Sequence, residues 1–244
     1  MGIIERRKRE REARQELAID AAMSIYDKDG YHSITMEKIA EKSELSRAAL
    51  YLYFKNKEEI MVSAIASHAD YFESILQELY DNRERFKEVL LEKLWECFQK
   101  FYEKDQLVFT AWLYFHQTEM LGNLPEELRN VIHGLGAKVV ALQHKIVRYA
   151  VEKKIFTQCD YRALSEVIWS SFLGIVYVER SKKVLSNKNH MAVTQETALK
   201  VLSQGVLNPL HKNEVSEKRA SMLVHEYKDV REHSRAADKF KIKK

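Results

Sequence analysis

Proline is nearly missing from this chain, with two residues in 244, and glycine is scarce at seven. Sheets need frequent turns, and turns draw on both residue types. Their scarcity, together with few alternating Val/Ile/Thr runs, excludes a strand-rich fold and predicts long helices. Cysteine is equally sparse. Cys97 and Cys159 show no CxxC spacing, which excludes a disulfide framework or a zinc ribbon and predicts free thiols in the reducing cytoplasm. Long apolar runs are absent as well. The most apolar stretch, residues 168–178, is interrupted by serines and falls short of the ~18 residues that a membrane span needs. The chain opens on charged rather than apolar residues, so no secretory signal is read, and Arg6 stands where a myristoylation signal wants Ser or Thr.

Catalytic signatures are missing too. A di-iron helical bundle needs Glu-x-x-His on two helices, and none of the nine histidines has Glu three positions before it. His116 and Glu119 stand in the reverse order. There is no HExxH, P-loop or GxSxG pattern, and Gly134-x-Gly136 lacks the third glycine and the preceding strand of a dinucleotide site. No catalytic residue, metal ligand or cofactor is therefore expected.

What the chain does have is charge and amphipathic helix pattern. The net charge of +4 says little about nucleic acid, because residues 1–60 hold 12 basic and 12 acidic residues and the excess falls wholly in 211–244. Placement of charge matters more than its total. Residues 6–14 carry Arg6, Arg7, Lys8, Arg9, Arg11 and Arg14 against Glu10 and Glu12. Two readings stay open for this leader: a basic arm entering a minor groove, or a solvated helix end held by i,i+4 pairs.

Apolar spacing predicts a first helix with Leu17, Ala18, Ala21, Ala22, Ile25 and Tyr26 inward, ended by Asp29-Gly30 with Gly in the left-handed region. Further helices are expected over a segment starting at Lys57, over 85–104, over the aromatic-rich 106–121, from Leu124-Pro125 through Val151, over 161–182 with Asp160 as cap, and over 194–207. About nine helices and a polar, helix-prone tail result. The tail reads equally as a docked element or a solvated end.

Residues 34–61 carry the most information. Thr35 and Ser46 are each placed to cap a short helix, and Leu50 and Phe54, four apart, share a buried face. Arg47, Ala48, Tyr51 and Tyr53 are left for other surfaces, which suits a recognition helix in a DNA major groove. Arg47 has the fork that matches guanine O6 and N7, and the alanines allow close approach to a thymine methyl. Thr35 sits where free backbone N–H groups favour an anion.

The stretches AIDAAMSIYDKDGYHSIT, MEKIAEKSELS and AALYLYFKNKEEI resemble the DNA-binding domain of the TetR (tetracycline-repressor-like) family of bacterial regulators. The similarity covers roughly residues 17–62. One departure is Glu44, where the family often carries Gly, so this turn must either hold a non-glycine at positive φ or take another form. The resemblance implies an all-α protein: a three-helix helix-turn-helix head over residues 1–60 with the basic leader, a larger helical effector-binding and dimerisation domain over 61–210, and the charged tail 211–244. It implies a dimeric, ligand-responsive repressor on a palindromic operator of double-stranded DNA, released by a small effector. Thr35, Ser46, Arg47, Ala48, Ala49, Tyr51, Tyr53 and Lys57 are the expected DNA-facing residues. Phe101, Trp112, Phe115, His116, Met120, Trp169 and Tyr177 are the expected effector-pocket lining, for a lipophilic or weakly polar molecule. Leu164, Ile168, Phe172, Val176, Leu199, Leu202 and Val206 are the expected dimer interface. A ligand-independent, nucleoid-associated DNA-binding protein is the alternative, and a helical-bundle enzyme is a further one.

Overall fold

The computed structural model describes residues 2–186 and 190–208. The expected tail, 211–244, lies outside the described residues. Among them ten α-helices follow one another: α1 (Ile3–Asp29), α2 (Met36–Lys42), α3 (Arg47–Tyr51), α4 (Lys57–Asp81), α5 (Leu90–Lys104), α6 (Gln106–Phe115), α7 (Thr118–Asn123), α8 (Glu126–Glu152), α9 (Tyr161–Ser186) and α10 (Met191–Val206). Two 3-10 turns, Tyr31–Ser33 and Lys87–Val89, complete the order. The all-α class is as expected. No described helix is long and apolar enough to cross a membrane.

The helix boundaries follow from local chemistry. Gly30 ends α1 at φ 77, ψ 173, a conformation open to glycine, though extended in ψ rather than left-handed helical as expected. Asp105 starts α6 by accepting from the Leu107 and Val108 N–H groups at 2.9 and 3.0 Å. Asp160 does the same for α9 through Arg162 and Ala163, and these backbone bonds hold its carboxyl below the usual range. The expected single helix over 106–121 is two. The His116 and Gln117 amides turn back to Leu113 and Tyr114, closing α6 before Gln117 opens α7. The expected helix over 85–104 starts at Leu90, because residues 82–89 are used in tight turns.

The chain forms two compact units. Among the described residues, the first comprises the chain up to Glu78 together with Glu96–Leu142; the second comprises Leu79–Trp95 and the described residues from Gln143 on. In the first unit, Ala18, Ala21, Ala22 and Ile25 of α1 pack with Ile39, Leu50, Phe54 and Ile60, and the same core includes Ala111, Phe115 and Met120. Leu17, expected inward, is 49% exposed, because it sits on the flank of the stripe that runs through Ala18 and Ala21. A second set of rings lies in this unit: Phe101 stacks on Phe72 at 4.1 Å and meets Phe109 edge-on at 5.2 Å.

In the second unit, α9 and α10 pack as a pair. Phe172 meets Trp95 edge-on at 5.4 Å and stacks with Trp169 at 6.0 Å. Glu179, 1% exposed, closes the α9–α10 connection. Its carboxylate accepts from Lys182 Nζ at 2.8 Å, the His190 N–H at 3.0 Å and Thr194 Oγ1 at 3.2 Å. An antiparallel bridge between Phe156 and Leu207 ties the end of α10 to the α8–α9 connection.

Candidate nucleic-acid interface

The head is built on two caps. Thr35 Oγ1 accepts from the Lys38 N–H at 3.3 Å and begins α2, and Ser46 Oγ accepts from the Ala49 N–H at 3.1 Å and begins α3. Each hydroxyl keeps its own proton, so each can still donate outward to a phosphate oxygen. Between the helices Glu44 stands at φ 56. The turn thus keeps the left-handed geometry and places a non-glycine in it. Ser43 steadies the approach by donating its hydroxyl to the Ile39 carbonyl at 2.7 Å.

Helix α3 is one-sided. Leu50 is fully buried and Phe54, just beyond, is 4% exposed, anchoring the helix to the head core. Arg47, Ala48 and Tyr51 face outward and are exposed, as are Thr35 and Ser46. Ala49, Tyr53 and Lys57 are half-buried. All eight expected DNA-facing residues fall in the same unit, on α2 to α4 and their connections.

Several are engaged with neighbours. The Arg47 guanidinium lies 3.5 Å from the Glu37 carboxylate. The Lys57 ammonium sits 4.3 Å from the centre of the Tyr31 ring, and Tyr31 donates its hydroxyl to Glu58 at 2.7 Å. Burial and that carboxylate push the Tyr31 phenol far up, so it remains a donor at any working pH. Asn56 caps α4 by accepting from the Glu59 N–H at 2.8 Å, while Glu59 accepts from the Lys55 N–H. Arg14 donates to the Tyr53 hydroxyl at 3.4 Å, and Arg11 lies 6.0 Å from the centre of the same ring.

Sequence reasoning missed two contributors. Leu52, 76% exposed directly after α3, adds an apolar contact surface that its place next to two tyrosines masked. Glu37, which holds Arg47, belongs to α2, and no spacing within either helix announces the pair.

The expected pocket residues divide between the units. Phe101, Trp112, Phe115, His116 and Met120 belong to the first, Trp169 and Tyr177 to the second. Phe101, Phe115 and Met120 are buried in side-chain packing, and Phe115 meets Tyr31 edge-on at 5.6 Å. His116 Nδ1 lies 2.7 Å from the Trp112 carbonyl, and burial lowers its pKa. Trp169 is half-buried, while Tyr177 is 65% exposed. Of the expected dimer residues, Ile168, Phe172, Val176 and Val206 are buried inside the single chain, and Leu164, Leu199 and Leu202 are partly so. Among the described residues, no group of three or more His, Cys, Asp or Glu is placed to hold a metal.

A buried anchor, two capped short helices, and an outward face of Arg, Ala and Tyr define a helix-turn-helix DNA-binding head. Residues 18–64 match the family model described as bacterial regulatory proteins, tetR family. The chain is 23% identical over 155 residues to the fatty acid metabolism regulator protein of Bacillus subtilis, covering 62% of this chain and 79% of that one. It is 26% identical over 149 residues to the biofilm operon icaADBC negative transcriptional regulator IcaR of Staphylococcus aureus, covering 60% and 75%. Its fold is similar to that of the regulator FadR from Bacillus subtilis, solved in complex with stearoyl-CoA. The TM-score is 0.59 at 22% identity, covering 78% of this chain and 98% of that one. Residues 18–64 thus form a DNA-binding head of the tetR type, and the curated proteins that the chain resembles over about three fifths of its length are regulators.

Proposed function

We propose that this protein is a dimeric repressor that binds a palindromic operator through two heads and is released by a small apolar effector. The observation that carries the reading is the outward face of α3, with Arg47, Ala48 and Tyr51 exposed over a buried Leu50. Phosphate contacts from Thr35, Ser46 and Tyr53 set the register, and Arg47 reads a base edge. Lys57 adds a point charge when it leaves the Tyr31 ring.

One head reads few bases, so a second copy is needed. The face available for it on α9 and α10 is the one not spent in the chain's own core: Val167, Tyr177, Val193 and Val201 are 53%, 65%, 64% and 62% exposed. Large apolar side chains left in water on two adjacent helices favour burial against a partner. The residues first expected at the interface hold these helices from within, and the partner meets the opposite row. Residues 1–60 bind DNA and residues 61–210 supply effector binding and pairing.

The effector is assigned to the apolar class, with a long-chain acyl compound as the first to test. The ring-rich packing around Phe101 and Trp112 supports this, as does the similarity to a regulator of fatty acid metabolism. An effector binding only the folded state raises the melting temperature. If it also prefers the released arrangement by about 1–3 kcal/mol, operator affinity falls about 5–150-fold. Titration of stearoyl-CoA into the protein–operator complex should show both effects. An unchanged melting temperature and unchanged operator affinity across acyl chain lengths would exclude this class. Val167→Glu with Val201→Glu should shift sedimentation from dimer to monomer; an unchanged dimer would exclude this face.

A further inference from the structure

The basic leader has a placement that the helix-turn-helix does not use. Helix α1 begins at Ile3, yet its first buried residue is Ala18, so about four turns project beyond the head core. At about 100° per residue, Arg7, Arg11 and Arg14 fall within roughly a 60° arc, and Ala18, Ala21 and Ile25 continue the same stripe into the core. The stripe that is apolar inside the head therefore becomes arginine as it leaves. Glu5, Glu12 and Glu16 lie on the opposite side of the helix. The remaining charges are largely paired along it: Arg6 with Glu10 at 2.9 Å and Lys8 with Glu12 at 3.8 Å.

The stripe also has a fixed direction. Arg14 donates to the Tyr53 hydroxyl at 3.4 Å and Arg11 lies over the Tyr53 ring at 6.0 Å. Tyr53 is one of the residues on the DNA-facing surface, so the arginine row is continuous with that surface. Arg7 and Arg11 take part in no ion pair among the described residues and are exposed. Glu10, on the flank of the row and paired with Arg6, offsets part of the charge of Arg7 and Arg14; what remains of an exposed row of like charges repels itself and is relieved by an anionic partner.

We propose that Arg7, Arg11 and Arg14 form a second DNA contact, a helical rail that neutralises backbone phosphates of the duplex beside the bases read by α3. The inference rests on the DNA-binding reading above. The contact is to phosphates, because the leader is helical. A helix with its side chains is about 10–12 Å across, and the minor groove is about 6 Å wide. The leader is helical with i,i+4 pairs, as the solvated-helix-end reading has it, and the rail adds a direction for its basic face. Arg7 and Arg14 are about 10 Å apart along the axis, a span of about three phosphates on a strand. Contacts of this kind add affinity and salt dependence without sequence preference.

The test compares wild type with Arg7→Gln/Arg11→Gln on a selected operator carrying long flanks, between about 50 and 200 mM salt. Both substitutions lie on the exposed part of α1, and far-UV circular dichroism checks that helix content is equal. The double variant should lose about 1.8 from the log–log salt slope for each head bound, and bind at least about tenfold more weakly at low salt. Its ranking of operator variants should not change. Arg7→Lys/Arg11→Lys, which keeps the charge, should keep the slope. Trimming the flanks by about one helical turn should weaken wild type and leave the Gln variant unaffected. A slope equal to wild type, or a defect that persists undiminished on trimmed duplex, overturns the rail while leaving the head's role intact. A wild-type protein with no salt-dependent duplex binding overturns the DNA-binding reading itself.

Discussion

Tyr31 donates its hydroxyl to Glu58 at 2.7 Å, joining the turn after α1 to the first turn of α4. The same ring carries the Lys57 ammonium at 4.3 Å and packs edge-on against Phe115 at 5.6 Å. One side chain thus links the start of α4, the Lys57 ammonium and α6. Tyr31→Phe keeps the ring and removes only the donor to a half-buried carboxylate. It should destabilise the protein by roughly 1–3 kcal/mol, read as a lower denaturant midpoint at unchanged m-value.

Arg47 is held by Glu37 in the free protein at 3.5 Å, with both side chains largely in water. Such exposed pairs contribute about 0–1 kcal/mol, so on the proposed reading displacing Glu37 from Arg47 costs little. Glu37→Gln frees the guanidinium and removes a negative charge from the proposed DNA-binding surface. Operator binding should tighten by up to about fivefold, with stability nearly unchanged. Weaker binding in an anisotropy titration would show instead that Glu37 positions Arg47 for readout.

Glu44 occupies the turn between α2 and α3 at φ 56, where a side chain costs about 1 kcal/mol that glycine avoids. Glu44→Gly should therefore raise the melting temperature slightly, by a few degrees at most, despite the added freedom of the unfolded chain. A fall in melting temperature would mean that the Glu44 side chain makes contacts worth more than the strain.

His68 on α4 is buried against Phe101, ring centres 4.4 Å apart, and its Nε2 has no hydrogen-bond partner. Burial lowers its pKa, with the nearby Asp105 opposing only in part. The unfolded chain then takes up a proton near the ordinary value of about 6.5 while the folded chain does not. Stability is complete above that pH and falls as pH drops below it, until the folded pKa is reached. His116 acts in the same direction. His68→Phe should flatten the decline in stability below pH ~6.5, and a decline as steep as wild type would place its origin elsewhere.

Much of the head was legible in the sequence because its signals are local. The Thr35 and Ser46 caps, the buried Leu50 and Phe54, and the start of α4 at Lys57 each follow from a few neighbouring residues. The contacts made by those residues were not legible. Arg14 with Tyr53 joins positions 39 apart, and Glu37 with Arg47 joins two helices, so no periodicity announces them. In α9, apolar residues occupy several faces. The row of Ile168, Phe172 and Val176 and the row of Val167 and Val178 are equally hydrophobic in sequence, and only packing shows that the first is inside. Likewise His116 and Gln117 look helical, but their amides reach back to close α6 where a single helix was expected.

The most direct test of the account is the binding of wild type and Arg47→Ala/Tyr51→Ala to the sequence selected by wild type from a random DNA pool. Both residues are exposed on α3, so the fold should survive their removal. The account predicts loss of at least about 1–3 kcal/mol of discrimination per head, with the residual salt-dependent affinity alike for operator and unrelated duplex. Unaltered affinity and unaltered preference for the selected sequence in the double variant would contradict it.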